Sequence, residues 1–423
     1  MKTVTAVVIG AGDRGRHVYG KYALEHPNEL MITAVAEPNE QRRKEFQKLH
    51  GIPDDRCFTG YEELFGQPRL ADAAFICTQD GMHYSPALLA RQAGYHVLLE
   101  KPISNTAEEC VRIWKDCTHG GEGQIFAICH VLRYTPFFLQ IKSMLDSGMI
   151  GRLANIQYEE DIGFYHFAHS YVRGHWKDSS ASSPLVLAKS CHDLDILRWL
   201  AGGPVASVSS SGSLLEFRPE NCPPGAPEYC AWGCPSAQEC PYNAVRLYQW
   251  FEPANFLSEI VKLEDPMHDL EHALFHSDYG RCVYRCGNNV PDHQTVGLSF
   301  FNGVEAQLTI TAFSSKITRH VRIMGTKGEI VGDMARNLIS YRDFSTMKKT
   351  KIHLDVPAEG HHGGDRGLTG SFVRSIASGK NDLPTEVSQS LESHLMAFAA
   401  EKARTEQTVV NFSEFVQKYG LSL

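Results

Sequence analysis

The stretch TVTAVVIGAGDRG, Thr3 to Gly15, decides the fold. Its first seven residues are apolar or β-branched throughout, the pattern of a strand buried on both faces. The run stops at Gly10, Gly12 and Gly15, spaced G-x-G-x-x-G, and a helical stretch follows with Val18, Tyr19 and Tyr22 among its apolar positions. A strand before and a helix after is the context in which such glycines bind a dinucleotide. Gly10 permits the tight turn, Gly12 lets the backbone approach a pyrophosphate, and Gly15 allows close helix–strand packing. Free N–H groups at the helix start then face the phosphates, with Asp13 and Arg14 in the same loop.

Moving outward, strand patterns over residues 31–36, 73–77, 96–99 and 124–129 alternate with helical ones over 40–50, 85–93 and 107–117. That alternation implies right-handed βαβ units and a parallel sheet. The second strand ends at Glu37, 22 residues past Gly15. A carboxylate there accepts hydrogen bonds from both ribose hydroxyls and repels a 2′-phosphate, which favours NAD over NADP. Arg42 and Arg43 stand close enough in sequence to keep NADP open.

Beyond about Gly148 the character changes. Strand patterns over 153–159, 205–212, 281–285, 296–301, 305–313, 321–324 and 329–331 mostly follow one another without a helix between them, as in an antiparallel sheet. Helical patterns return over 371–378 and 387–404. The expected architecture is a Rossmann-type α/β domain over residues 1–130 and an α+β domain over 131–423, interrupted by an irregular insertion at about 216–279. A length of 423 residues suits two or three domains. Lys and Arg number 41 against 49 Asp and Glu, a net charge of −8, which argues against a nucleic-acid surface. No apolar window is long enough to span a bilayer, and residues 4–10 are too short for a secretory h-region. A cytoplasmic protein acting on a small molecule is expected.

Glu100-Lys101-Pro102 closes the strand His96–Leu99, so Lys101 points toward the crevice beyond the carboxyl ends of a parallel sheet. With the glycine loop, Cys77-Thr78-Gln79-Asp80 and His83, Arg133-Tyr134-Thr135-Pro136, His192 with Asp195, and Gly325-Thr326-Lys327-Gly328, the chain resembles the Gfo/Idh/MocA family of NAD(P)-dependent sugar and cyclitol oxidoreductases. The resemblance implies a Rossmann domain joined to a domain with a large open antiparallel sheet, often forming dimers or tetramers through that sheet. It puts Thr78, Gln79, His83 and Glu100 with the cofactor and Arg133 with the substrate. Lys101 would touch both substrate hydroxyl and nicotinamide ribose, and the bond before Pro102 is a candidate for cis. His192 matches the family's catalytic histidine. Many members carry an aspartate four residues earlier, but here that position is Ala188, followed by Lys189 as either an added substrate contact or half of a structural ion pair.

The chemistry argues the same way. Oxidising a secondary alcohol removes a hydride from carbon and a proton from oxygen, and a partly desolvated lysine can polarise the hydroxyl or pass its proton on. Tyr165, His166, Arg173, Trp176 and the His361 loop suit a sugar site, where rings cover C–H faces and polar tips fix hydroxyls. Tyr165 and His166 could also serve as bases. Cys222, Cys230, Cys234 and Cys240 fall within a short Pro- and Gly-rich segment, where structural Zn²⁺ is expected, with an iron–sulfur cluster or free thiols as alternatives. The expected function is an NAD-dependent sugar or cyclitol dehydrogenase. A glycosidase that oxidises its sugar transiently and returns the hydride is the second class, and a non-catalytic NAD-sensing regulator the third.

Overall fold

A computed structural model of the chain describes residues 2–118, 123–250, 255–356, 360–381, 383–385 and 387–422. The N-terminal apolar runs form a parallel sheet of six strands: β1 (Val4–Ile9), β2 (Leu30–Ala36), β3 (Cys57–Phe58), β4 (Ala73–Ile76), β5 (His96–Leu99) and β6 (Phe126–Ile128). Their order is β3-β2-β1-β4-β5-β6. The order reverses between β1 and β4, and there a crevice opens beyond the carboxyl ends of the strands. Alternate residues feed opposite cores. Val7, Ile9, Ala74 and Ile76 pack on one face of the sheet, while Ala6, Val8, Ala73 and Phe75 pack on the other.

The crossovers are a π-helical turn, Arg14–Gly20, running into α1 (Lys21–Glu25), then α2 (Glu40–His50), α3 (Tyr61–Phe65), α4 (Tyr84–Gln92) and α5 (Ala107–Thr118). The start and stop of α2 are set locally. The Asn39 side chain accepts from Arg42 N, and Gly51 leaves the helix at φ 63°. After α6 (Pro136–Asp146) the second sheet begins with β7 (Leu153–Asp161).

It continues with β8 (Val205–Ser213), β9 (His293–Phe300), β10 (Glu305–Thr311), β11 (Thr318–Gly325), β12 (Gly328–Asp333), β13 (Leu338–Asp343), β14 (Lys349–His353) and β15 (Val410–Asn411), in the order β14-β13-β12-β11-β7-β10-β9-β8-β15. Seven of its pairings are antiparallel as expected, but β7 and β10 run parallel, so the sheet is mixed. The reason is connectivity. The chain leaves β7 for a long excursion through α7 (Phe164–Phe167), α8 (Leu185–Ala188), α9 (Cys191–Ala201), α10 (Asn255–Glu264) and α11 (Leu270–His276), and can return in either direction. One face of the sheet is buried, with Val296, Leu298, Leu308 and Ile323 packed inward, and α9 and α13 (Val387–Glu406) cover it. Ahead of α13, α12 (Gly364–Ser378) packs Leu368, Phe372 and Val373 into the core that holds Val8 and Phe75 of the first sheet, and so joins the second domain to the first. Among the described residues no helix is long and apolar enough to cross a membrane.

The insertion overturns two expectations. Residues 281–285 make a single bridge from Arg281 to Tyr229 and a 3-10 turn, Val283–Arg285, rather than a strand. Cys222, Cys230, Cys234 and Cys240 are free thiols, and among the described residues no group of three or more Cys, His, Asp or Glu is arranged to hold a metal ion. The structural zinc site is therefore corrected. A cation already stands among these thiols: the buried guanidinium of Arg173 reaches Cys230 Sγ at 3.9 Å, and a second cation beside it would be repelled. Arg173 also donates to Tyr242 O at 2.6 Å and to Arg281 O at 2.9 Å, so hydrogen bonds tie the insertion down. Phe217, Leu247 and Tyr248 supply the apolar packing that zinc was expected to replace.

Candidate active site

At the end of β1 the glycines behave in two ways. A Cβ on Gly10 would lie 2.7 Å from Cys77 O, and one on Gly15 would lie 2.1 Å from Gly10 O, so both are required for packing. A Cβ on Gly12 would meet nothing within 4 Å. Gly12 therefore lines an open cradle at a helix start, which fits a dinucleotide pyrophosphate. Glu37, almost wholly buried, braces this loop. Its Oε2 accepts from Ala11 N at 2.8 Å and its Oε1 from Asn39 N at 2.9 Å, while Arg42 Nε stands 3.6 Å away. Thr78 and the exposed Gln79 follow β4 on the other side of the crevice, and Asp13 is exposed at the head of the turn.

Three residues expected to hold cofactor make protein contacts around that loop. Arg14 turns away to donate to Glu100 Oε1 at 2.6 Å and to Asp365 Oδ1 at 2.9 Å. Glu100 is buried and also accepts from Tyr19 Oη at 2.5 Å. Burial pushes its carboxyl up, but Arg14 and Tyr19 outweigh that and leave it below its ordinary value. His83 is buried between Pro102 O at 2.8 Å and Thr78 O at 3.1 Å, bridging the two segments that flank the crevice. These residues shape the cradle from outside it.

Lys101 leaves β5 at the crevice, and the bond to Pro102 is cis. Its Nζ donates to Ala188 O at 3.0 Å. The position where the family pattern has a carboxylate thus still receives the amine, through its main-chain oxygen. His192 lies in the first turn of α9, nearly buried, with Nδ1 unpartnered. Burial, then the charge of Lys101 and the neighbouring His130 and His361, hold its imidazole well below the ordinary value. A neutral imidazole beside an ammonium can accept a proton while the ammonium stabilises negative oxygen.

Beneath them lies a network whose members come from separate segments and meet only in the fold. Lys189 Nζ is 3.4 Å from Glu160 Oε1, and Arg319 Nε lies 2.8 Å from Glu160 Oε2 and 2.7 Å from Asp193 Oδ1. Burial pushes the Glu160 carboxyl up to about 7 and lowers the Lys189 ammonium. A signal existed: the alternation of β7 puts Glu160 on the inward face with Ile156 and Tyr158. Asp80, also missed, accepts from Trp176 Nε1 at 3.3 Å and Ser183 Oγ at 3.1 Å, which orients the indole.

His166 and Tyr165 follow β7 on α7, both with pKa values moved by burial, the imidazole down and the phenol up. A phenol so raised is no base at neutral pH, which argues against the expected role of Tyr165. Arg133 is buried and fully engaged, with Asp195 at 2.7 Å through both Nε and Nη2, and with Pro384 O and Gln389 Oε1 through Nη1. Arg173 belongs to the insertion as described. The Arg133 guanidinium is thus satisfied by protein partners, whereas Arg173 Nη1 is buried without a hydrogen-bond partner. Lys101, Lys189, His192 and His361 are brought together across the domain boundary, His361 with its ring 5.9 Å from that of His192.

Comparison with known proteins places this architecture. Residues 4–122 match the oxidoreductase family, NAD-binding Rossmann fold, and residues 142–412 match the oxidoreductase family, C-terminal alpha/beta domain. Inositol 2-dehydrogenase 2 of Saccharopolyspora erythraea is 30% identical over 33% of this chain and 38% of its own length. The inositol 2-dehydrogenase/D-chiro-inositol 3-dehydrogenase of Halalkalibacterium halodurans is 27% identical over 48% of this chain and 54% of its own. The chain thus spans about half or less of these relatives. Levoglucosan dehydrogenase, solved with NADH and levoglucosan, shares the fold at a TM-score of 0.72 over 97% of this chain and 99% of its own, with 16% identity. With both halves matched and the glycine cradle, the Lys101 amine and the mixed sheet in place, the chain belongs to the Gfo/Idh/MocA family of oxidoreductases, whose NAD-binding Rossmann fold it carries.

Proposed function

We propose that this chain is an NAD-dependent dehydrogenase that removes a hydride from the carbon of a secondary hydroxyl in a sugar, sugar derivative or cyclitol. The observation that carries the proposal is the Lys101 amine, 3.0 Å from Ala188 O and beside neutral His192, at the carboxyl edge of the NAD-binding sheet. Bound NAD⁺ supplies the hydride acceptor. The chain manages the proton. Lys101 donates a hydrogen bond to the substrate oxygen and favours its ionised form, and His192 accepts the hydroxyl proton, a contribution of order 10²–10⁴ in rate. Lys189 and His166 bind further hydroxyls, and the Trp176 ring, stacked on Tyr171, covers an apolar sugar face. The inositol and levoglucosan dehydrogenases among the relatives support this substrate class.

Glu37 at the ribose side favours NAD over NADP, because a 2′-phosphate would meet its carboxylate. The polar open face of the second sheet, with Ser209, Gln307 and Arg404 along it, supports pairing of two copies there. Free cysteines throughout suit a reducing, cytoplasmic setting.

The test is a screen of cyclitols, free sugars, levoglucosan and aryl glycosides with NAD⁺, reading NADH absorbance and released phenol together. NADH accumulating with a free sugar or cyclitol is expected. Phenol released without net NADH would move the assignment to a redox-neutral glycosidase. No NADH and no phenol from any compound would overturn both.

A further inference from the structure

The entry to α12 has a backbone that calls for a cause. His361 and His362 have φ 46° and 51°, and Gly363 follows at 82°, three successive residues in the left-handed region. For residues with a Cβ this costs about 1–2 kcal/mol each and persists only where surrounding contacts enforce it. The enforcing contacts centre on Asp365. His361 Nδ1 lies 2.9 Å from Asp365 Oδ2, and Asp365 Oδ1 accepts from Arg14 of the glycine loop at 2.9 Å. Gly360 comes so near that a Cβ would sit 2.5 Å from Asp365 Oδ2, and one on Gly364 would sit 2.5 Å from Val131 O. The loop is bent around one carboxylate and tied to the first domain through Arg14.

The bend does not hide the imidazole. The His361 side chain keeps 37% of its surface exposed, while Asp365 keeps 10%. Burial pushes the Asp365 carboxyl up, but His361 and Arg14 hold it well below the ordinary range, so it is ionised and accepts the Nδ1 proton. Nε2 is the ring nitrogen that this pair leaves for a ligand. The ring stands 5.9 Å, centre to centre, from that of His192, and two imidazoles at that separation can bracket two hydroxyls on adjacent carbons.

We propose that His361 is a second imidazole of the substrate site, hydrogen-bonded through Nε2 to the hydroxyl next to the one oxidised, with Asp365 as its positioning residue. The substrate class is thereby narrowed to vicinal diols. This rests on the dehydrogenase proposal above. The Arg14–Asp365 pair also ties the loop to the cofactor cradle, so the imidazole is set in place from the side on which NAD binds.

The experiment takes the sugar or cyclitol that the wild-type protein oxidises, together with its analogues lacking one vicinal hydroxyl. It measures kcat and KM for wild type, His361→Ala, Asp365→Asn and Lys101→Ala, and NADH affinity by fluorescence. His361→Ala should lose about 10–100-fold in kcat/KM on the parent and nothing further on one deoxy analogue, with NADH affinity within about twofold of wild type. Asp365→Asn should fall between the two. If the His361 and deoxy losses instead multiply for every analogue, or if activity falls only in step with NADH affinity, the inference is overturned and the dehydrogenase assignment stands. If Lys101→Ala oxidises the parent as fast as wild type, or wild type oxidises nothing in the panel, the assignment itself fails and takes the inference with it.

Discussion

Lys101 is one of the residues at which both domains meet, its backbone in the first and its amine on Ala188 O of the second. Replacing it by alanine should lower kcat by three orders of magnitude or more while leaving NADH affinity within about threefold, because the pyrophosphate cradle lies on a different strand. A loss confined to KM would show that the amine only binds. Arg133 makes the opposite prediction. Its guanidinium and Asp195 are both fully buried and share two 2.7 Å bonds. Arg133→Ala leaves an uncompensated carboxylate and should cost about 3–5 kcal/mol in urea unfolding, whereas a substrate contact would change KM and spare stability. The two residues also show what a sequence can tell. The place of Lys101 was legible because the strand before it and the motif around it are local, while the pairing of Arg133 was not, because its partner lies 62 residues away.

At the scale of elements, the glycine loop separates binding from folding. Gly15 touches backbone and Gly12 touches open space, so Gly15→Ala should lower the melting temperature markedly. Gly12→Ala should melt within about 2 °C of wild type and still lose at least tenfold in NADH affinity by titration. Equal losses of stability in the two variants would contradict this division. The β/α alternation of the first domain was readable because each of its strands packs both faces with its own residues. The parallel pairing of β7 with β10 was not, since it depends on which way the chain returns after more than 140 residues. Nor were Glu160–Arg319 and Arg14–Asp365, whose members are adjacent only in the fold. The cysteines misled because thiols at close spacing read as ligands, and the arginine that stands among them comes from another segment.

Over the whole molecule, the buried histidines set how stability responds to acid. Burial lowers His130 to about 4 and His169 and His394 to about 3, and takes His166 and His192 well below 6.5. In the unfolded chain each titrates near 6.5. Between about pH 6.5 and 4 the unfolded state therefore binds protons that the native state refuses, and stability falls as pH falls, by about 3 kcal/mol for a group such as His130. Glu160 opposes this, since its native pKa of about 7 keeps a proton that the unfolded chain releases above about 4.5. It is one proton against the five named, and His50, lowered by burial to about 4, adds to their side. Glu100 and Asp365, both depressed, add their losses only below about pH 4.5. Urea midpoints should thus hold steady from pH 8 to 7 and decline steeply from about 6.5, ahead of the carboxylate range. His130→Gln removes one of these groups without removing a hydrogen bond, since both its ring nitrogens are unpartnered. It should shallow the decline by about one proton between pH 6 and 4.5, and a slope equal to wild type, or an onset only below pH 4.5, would show that these imidazoles are not held neutral.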